Sequence, residues 1–147
     1  MNPMMYHWLG AHPGTEGTQA GTSFAVWAPN AREVSVLLDR NHWEHGAFFL
    51  NSSHEGVWRG FIPDVSVGET YKYSIRTQQG ELLQKTDPYG FFSEAPPKTA
   101  SIVTDLKGYH WGDRDWITRR AATNWLQAPL SVFEIYLGSG ERPWDGR

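Results

Sequence analysis

Two short apolar runs separated by a turn constrain the fold of this chain more than any other feature. Residues alternate within each run: Phe24 and Val26 fall on one side of a first predicted strand, and Val34, Val36 and Leu38 fall on one side of a second. The Pro-Asn-Ala-Arg sequence between them is typical of a turn, because proline presets φ and an asparagine side chain can bond its own backbone. The runs therefore predict two antiparallel strands of a β-sandwich.

Runs of the same kind recur along the first two thirds of the chain, at the short spacing of an all-β domain. In the clearest of them Tyr71 and Tyr73 alternate with Lys72 and Ser74, the pattern of a half-buried strand. The predicted strands are Ser23–Trp27, Val34–Leu38, Ala47–Leu50, Val57–Ile62, Thr70–Arg76 and Ser101–Val103. The predicted fold class is all-β, with a sandwich over residues 21–104.

The segments on either side of the sandwich differ from it in composition. Residues 1–20 are expected to form a lead-in segment that passes into a plain loop of small and polar residues. The polar residues 105–129 are predicted to be a linker with a short helical turn around Trp116–Ala122.

The last apolar run, Leu130–Leu137, is nearly continuous, as in strands that are buried on both faces of a parallel sheet. Since only Gly138–Arg147 follows it, we expect the chain to be cut off at the start of a further domain, over residues 130–147.

Composition argues against several functions. The formal net charge of −3 does not favour nucleic acid or an anionic membrane as a partner. The chain has no cysteine, which fits a reducing cytoplasm, and no apolar stretch long enough to span a membrane. It also has eight tryptophans, and flat aromatic side chains can either fill a core or hold the apolar face of a sugar ring.

The charged residues suggest no catalytic or metal site. The close carboxylate pair Asp113 and Asp115 lies in the polar linker, where a solvated surface is favoured. His42 and His45 share a loop with Glu44, but their spacing makes a weak case for a metal. We therefore predict no catalytic residue, no metal site and no cofactor.

Six phrases, in order along the chain, resemble the N-terminal region of 1,4-α-glucan (glycogen) branching enzymes. They are HWLGAHPG (7–14), GTSFAVWAPNAREVSVLLDRNHW (21–43), GVWRGFIP (56–63), ETYKYSI (69–75), KTDPYGFFSEAPPKTASIV (85–103) and APLSVFEIYLGS (128–139). The resemblance implies a carbohydrate-binding module of family 48 type, with an immunoglobulin-like sandwich. It also implies that the sixth phrase is the end of a linker and the first strand of a catalytic (β/α) barrel.

The same resemblance implies three carbohydrate-binding residues. Trp43, in the Asn41-His42-Trp43 sequence, matches a tryptophan that stacks on glucose, and Lys72 matches a lysine that donates to sugar hydroxyls. Ser101 stands where strong binders tend to carry an asparagine, and a second stacking tryptophan after the Gly80 turn is missing. From the residues alone, Trp43 could equally pack in the core and Lys72 could equally be a solvated lysine.

The other large aromatic residues are expected to pack rather than to bind sugar. Core or inter-domain packing is expected for Trp27, Trp58, Phe24, Phe61 and Tyr73, and packing between module and barrel for Trp8, Trp111, Trp116 and Trp125.

The function that the resemblance implies is that of an α-glucan-binding N-terminal module of a glycogen branching enzyme. The full enzyme would transfer α-1,4-glucan chains to α-1,6 positions, with α-glucan and its own catalytic barrel as partners. No position here matches the barrel's catalytic carboxylates, so the chain alone is expected to be inactive. We also expect self-association through Leu130–Leu137, because an unpaired apolar strand is a template for pairing.

Two alternatives remain. One is a structural sandwich that braces the barrel without useful sugar binding. The other is a regulatory glycogen-sensing module.

Overall fold

The computed structural model describes residues 5–53 and 55–134. The chain divides into two units, residues 1–108 and 109–147. Among the described residues, the first unit carries eight strands and the second carries one α-helix. Over the described residues no helix combines the length and the apolar character that a membrane crossing needs.

The strands form two antiparallel sheets. In chain order they are β1 (Gly10–Glu16), β2 (Gln19–Trp27), β3 (Ala31–Leu38), β4 (Asn51–Ser52), β5 (Val57–Pro63), β6 (Thr70–Thr77), β7 (Leu82–Lys85) and β8 (Ser101–Ile102). The first sheet has the order β1-β2-β5-β4, and the second has the order β3-β6-β7, with β8 also pairing with β6. The predicted all-β sandwich is confirmed.

Alternation along the strands builds the core between the two sheets. Phe24 and Val26 of β2 are buried as predicted, and so are Val34, Val36 and Leu38 of β3. They pack into one cluster whose buried members are Ala11, Phe24, Val26, Val34, Val36, Leu38, Leu50, Ile62, Val65, Tyr71, Tyr73 and Val103.

Gly21 allows two strands to approach each other closely. A Cβ atom at this position would clash with the carbonyl oxygen of Ile62 and would lie 2.6 Å from the ring of Phe61. Real Cβ contacts are never this short, so a larger residue would push β2 away from β5.

The plain loop predicted over residues 14–21 is wrong, because most of these residues belong to strands. β1 pairs with β2 along its whole length, and Gly17 (φ 61°) sits in the tight turn between them. The strand escapes a search for apolar alternation because Gly, Pro and Thr dominate it. Pro13 is tolerated because β1 is an edge strand, where a missing N–H costs no ladder hydrogen bond.

The predicted strand Ala47–Leu50 is also wrong in position. Only Phe49 makes an isolated bridge there, with Ser35, and the strand itself is the two-residue β4 that follows.

Trp27, expected in packing, is 61% exposed, and its indole N–H donates to the carbonyl of Glu55. Trp58 is half-buried and donates to the carbonyl of Ala28 at 3.0 Å.

The described part of the second unit contains the helix α1 (Arg114–Ala122), which confirms the predicted helical turn. Residues 130–134 form no strand, and Leu130, Val132 and Phe133 are exposed. Residues 135–137 lie outside the described residues, so the barrel-type strand stays a prediction.

Candidate functional site

The loop that follows β3 presents Trp43. A single 3-10 turn, Asp39–Asn41, begins at the end of the strand, and His42 and Trp43 then take left-handed backbone conformations with φ near 57° and 60°. The backbone N–H of Trp43 donates to the carbonyl of Leu38 at 3.0 Å. The Asn41 side chain accepts from the N–H of Leu38 at 3.2 Å, which folds the loop back on the strand end.

Strand register places Lys72 beside this loop. Leu37 of β3 pairs with Lys72 of β6, and the loop after β3 folds back on Leu38, which brings Trp43 next to the lysine side chain. The Lys72 ammonium lies 5.7 Å from the centroid of the Trp43 ring, a distance at which a cation is attracted by the ring face. The two residues that the sequence singled out are therefore brought together.

Ser101 does not join them. It is 0% exposed, and its Oγ accepts a hydrogen bond from the backbone N–H of Asp87 at 3.1 Å. Its expected contact with sugar does not agree with this burial. Thr99, two residues earlier, is exposed, and its hydroxyl accepts from the Lys72 ammonium at 2.9 Å.

Trp43, Lys72 and Thr99 line a pocket of about 430 Å³ on the surface of the sandwich. Its lining residues are Asp39, Trp43, Thr70, Lys72, Glu94, Lys98, Thr99 and Ala100. Lys98 forms an ion pair with Glu94 at 3.3 Å. The two lysines are balanced by two carboxylates, so the pocket offers hydrogen-bond donors and acceptors around an aromatic ring without a strong net charge. That combination suits a neutral polyhydroxylated ligand.

A buried carboxylate supports the strand that carries Lys72. Tyr71 donates from its hydroxyl to Oδ2 of Asp87 at 2.6 Å, and Tyr73 donates to the same oxygen at 3.2 Å. Oδ1 accepts from the N–H of Tyr89 at 2.8 Å, which closes an Asx turn. Burial raises the pKa of Asp87 and also raises the pKa of both tyrosines. Sequence reasoning missed this network, whose one local signal is the Asp-Pro-Tyr-Gly turn.

A second network surrounds His45. Its Nδ1 lies 2.9 Å from the hydroxyl of Ser74, and its Nε2 lies 3.1 Å from Oε1 of Glu33. A serine, a histidine and a glutamate in this order resemble a nucleophilic triad, but Ser74 is 2% exposed and no substrate reaches its hydroxyl.

The same contacts bear on the weak metal site considered above. His45 is hydrogen-bonded to residues of β3 and β6 rather than grouped with His42 and Glu44. Over the part of the chain that the structure describes, no three His, Cys, Asp or Glu side chains are placed to hold a metal.

A larger groove of about 820 Å³ lies elsewhere, against β1, β2 and β5. The Arg59 guanidinium lies 5.5 Å from the centroid of the Trp8 ring at this groove, and His12 and Phe61 also line it. None of the residues predicted to bind sugar lines it. The packing of Trp8 against a barrel stays a prediction.

Residues 8–90 match the family described as carbohydrate-binding module 48 (isoamylase N-terminal domain). This match covers more than half of the chain, which therefore belongs to that family.

Curated relatives agree with this assignment. The chain is 53% identical over 135 residues to a protein named 1,4-alpha-glucan branching enzyme GlgB from Thermosynechococcus vestitus. It is 49% identical over 135 residues to a protein of the same name from Synechocystis sp.. Each match covers 92% of this chain but 18% of the relative, so the chain spans about a fifth of the length of these proteins.

Solved structures share the fold. The pullulanase from Bacillus acidopullulyticus aligns with 67% of this chain and 12% of its own, at 27% identity and a TM-score of 0.53. The pullulanase from Anoxybacillus sp. LM18-11 aligns over the same share of this chain and 13% of its own, at 26% identity and a TM-score of 0.53.

Proposed function

We propose that the pocket formed by Trp43, Lys72 and Thr99 binds α-glucan. The observation that carries the proposal is the approach of the Lys72 ammonium to within 5.7 Å of the Trp43 ring centroid at one surface pocket. The membership of the chain in a carbohydrate-binding family supports it.

The chemistry of the pocket matches a glucose unit. The C–H face of the sugar would lie on the half-buried Trp43 ring, as bases stack on aromatic side chains. An ammonium this close to the ring is within reach of the hydroxyls of a sugar placed on it. Thr99 and the carboxylates of Asp39 and Glu94 supply acceptors around the same pocket.

The affinity is expected to be low. Among the described residues that line the pocket, Trp43 is the one aromatic side chain, and Leu82 stands in β7 where a second platform is missing. Stacking on one aromatic contributes about 1–3 kcal/mol by analogy with nucleic-acid bases. We expect a Kd from about 1 mM down to the high micromolar range, or about −4 to −6 kcal/mol.

The proposal extends to the whole protein. The chain is the N-terminal, glucan-binding module of a branching enzyme that transfers α-1,4-glucan chains to α-1,6 positions. Its module would hold α-glucan near the enzyme's own catalytic barrel. The similarity to two proteins named 1,4-alpha-glucan branching enzyme supports this assignment.

A structural role is the second candidate, and the single aromatic platform favours it. In that case the sandwich braces the barrel, and Lys72 is a solvated lysine whose stem covers the sheet.

Nuclear magnetic resonance (NMR) titration separates the two candidates. Maltoheptaose, an α-1,4-glucan, is added to the 15N-labelled 147-residue chain, with the β-1,4-linked cellohexaose as the control ligand. The glucan-binding proposal predicts saturable chemical-shift changes in the loop residues 39–46, Lys72 and Thr99. These changes should occur with maltoheptaose and not with cellohexaose. Unchanged spectra at 10-fold the expected Kd, or equal shifts with both sugars, would reject α-glucan binding and leave the bracing role.

A further inference from the structure

The loop that carries Trp43 has an unusual backbone. His42 and Trp43 are consecutive non-glycine residues with positive φ, and Gly46 also has a positive φ of 85°. Left-handed conformations cost non-glycine residues roughly 1–2 kcal/mol each, so they persist only where the surroundings fix them. The contacts at the two ends of the loop therefore decide where the indole lies.

One end of the loop is fixed locally. The side chain of Asn41 accepts from the N–H of Leu38, and the N–H of Trp43 donates to the carbonyl of Leu38. These bonds join residues three to five positions apart and set the direction in which the chain leaves β3.

The other end is fixed to the sheet by His45. Its Nδ1 lies 2.9 Å from Oγ of Ser74 and 3.2 Å from Oγ of Ser35, and the N–H of Gly46 donates to Oγ of Ser35 at 3.3 Å. Ser35 and Ser74 face each other across β3 and β6, and both are buried. Their hydroxyls are hydrogen-bonded to the imidazole, which joins the loop to both strands.

The other imidazole nitrogen is oriented by an ion pair. Nε2 of His45 lies 3.1 Å from Oε1 of Glu33 and 3.1 Å from Nη2 of Arg76. Arg76 also donates from Nε to the same carboxylate oxygen, and this bond is the main reason that the pKa of Glu33 is lowered. The imidazole is thus held on both of its nitrogens.

We propose that His45 is the positioning residue of the carbohydrate pocket: its Nδ1, held by Ser74 and Ser35, fixes the loop so that the Trp43 ring faces Lys72. His45 does not contact the ligand and does not line the pocket. The inference rests on the proposed glucan binding. It makes the affinity for glucan depend on the hydrogen bond between His45 of the loop and Ser74 of β6.

Two amide substitutions test which nitrogen matters. His45→Asn places an amide group near the position of Nδ1 and can keep the bond to Ser74. His45→Gln places its amide group near the position of Nε2 and can keep the bond to Glu33 instead. The two variants are matched in polarity, and a difference between them reports the serine contact.

Maltoheptaose affinity of the 147-residue chain is measured by NMR titration, together with the thermal midpoint and the indole N–H resonance of Trp43. That resonance is assigned by its loss in Trp43→Phe. We expect His45→Gln to weaken binding about five- to tenfold, the effect of one lost hydrogen bond, and to shift the indole resonance. His45→Asn should stay within about twofold of the wild type, since it can restore that bond.

Three results would overturn the inference. The first is equal affinity in all three proteins, and the second is a loss in His45→Asn as large as in His45→Gln. The third applies if His45→Gln does not fold and Ser74→Ala is measured in its place: it is a maltoheptaose affinity of Ser74→Ala equal to that of the wild type. A weaker affinity of Ser74→Ala would support the inference. A wild type that does not bind maltoheptaose would instead reject the proposed function itself.

Discussion

Tyr71 donates a hydrogen bond of 2.6 Å to the buried carboxylate of Asp87, sixteen residues further along the chain. The bond joins the strand that carries Lys72 to the turn that follows β7. Tyr71 is 1% exposed and Asp87 is 6% exposed, so water cannot replace the bond when it is removed. The support of the candidate pocket is therefore a buried polar network as well as an apolar core.

Tyr71→Phe should lower the free energy of unfolding by about 1.5–3 kcal/mol, because a hydrogen bond to a charged, buried group is lost. Tyr73→Phe is the matched control, since its hydroxyl lies farther from the same oxygen, at 3.2 Å. Urea denaturation measures both. A Tyr73→Phe loss equal to or greater than the Tyr71→Phe loss would contradict the ranking.

The pH dependence of stability should carry the signature of Asp87. Burial raises its pKa in the folded state, so between the ordinary aspartate pKa and the raised one the folded protein holds a proton that the unfolded chain lacks. The contribution of Asp87 to stability is therefore largest at low pH and falls as pH rises through the raised pKa.

Asp87→Asn removes this titration. The unfolding free energy of the wild type minus that of Asp87→Asn should grow as pH is lowered from 7 towards about 4, the ordinary range of an aspartate. Thermal or urea unfolding across that range checks the sign. A difference that is constant, or that shrinks as pH falls, would mean that the folded-state pKa of Asp87 is not raised.

Lys72→Met should weaken maltoheptaose binding about three- to tenfold, because one charged donor to the sugar is lost while the apolar stem is kept. The matched control is Lys85→Met, which makes the same charge change on β7, outside the residues that line the pocket. Isothermal titration calorimetry or NMR titration measures the maltoheptaose Kd of both variants. Equal losses would show that net charge, not the position of Lys72, controls affinity.

Self-association is expected to depend on the end of the chain. Leu130, Val132 and Phe133 are 78%, 83% and 86% exposed, and Leu130–Leu137 remains a predicted barrel strand. Deleting residues 129–147 should reduce the concentration-dependent mass that light scattering records, and it should leave the unfolding midpoint of the sandwich unchanged. The deletion variant and the 147-residue chain could instead show the same degree of association at every concentration. That result would mean that this segment does not mediate self-association.

The sandwich strands were predictable because alternation is local: each apolar residue lies two positions from the next on the same face. β1 lacks that signal, and only its pairing with β2 makes it a strand. The resemblance singled out Trp43 and Lys72 one by one, and the structure places both at one pocket.

The partners of those two residues were not predictable from local sequence. Thr99 meets Lys72 across 27 positions, and His45 meets Ser74 across 29. Neither contact leaves a local pattern, because it exists only once β8 and β3 have paired with β6. The burial of Ser101 was not predictable for the same reason: its hydroxyl accepts from the N–H of Asp87 only in the folded chain, and its contact with sugar stays a prediction.

The most direct test of glucan binding through Trp43 is affinity electrophoresis of the 147-residue chain in native gels with and without glycogen. The wild type is compared with Trp43→Ala and with Trp111→Ala, a control at a 75% exposed tryptophan in the second unit. We expect glycogen to retard the wild type and Trp111→Ala equally and to leave Trp43→Ala unretarded, with the same unfolding midpoint in all three. Retardation of Trp43→Ala equal to that of the wild type would contradict the account.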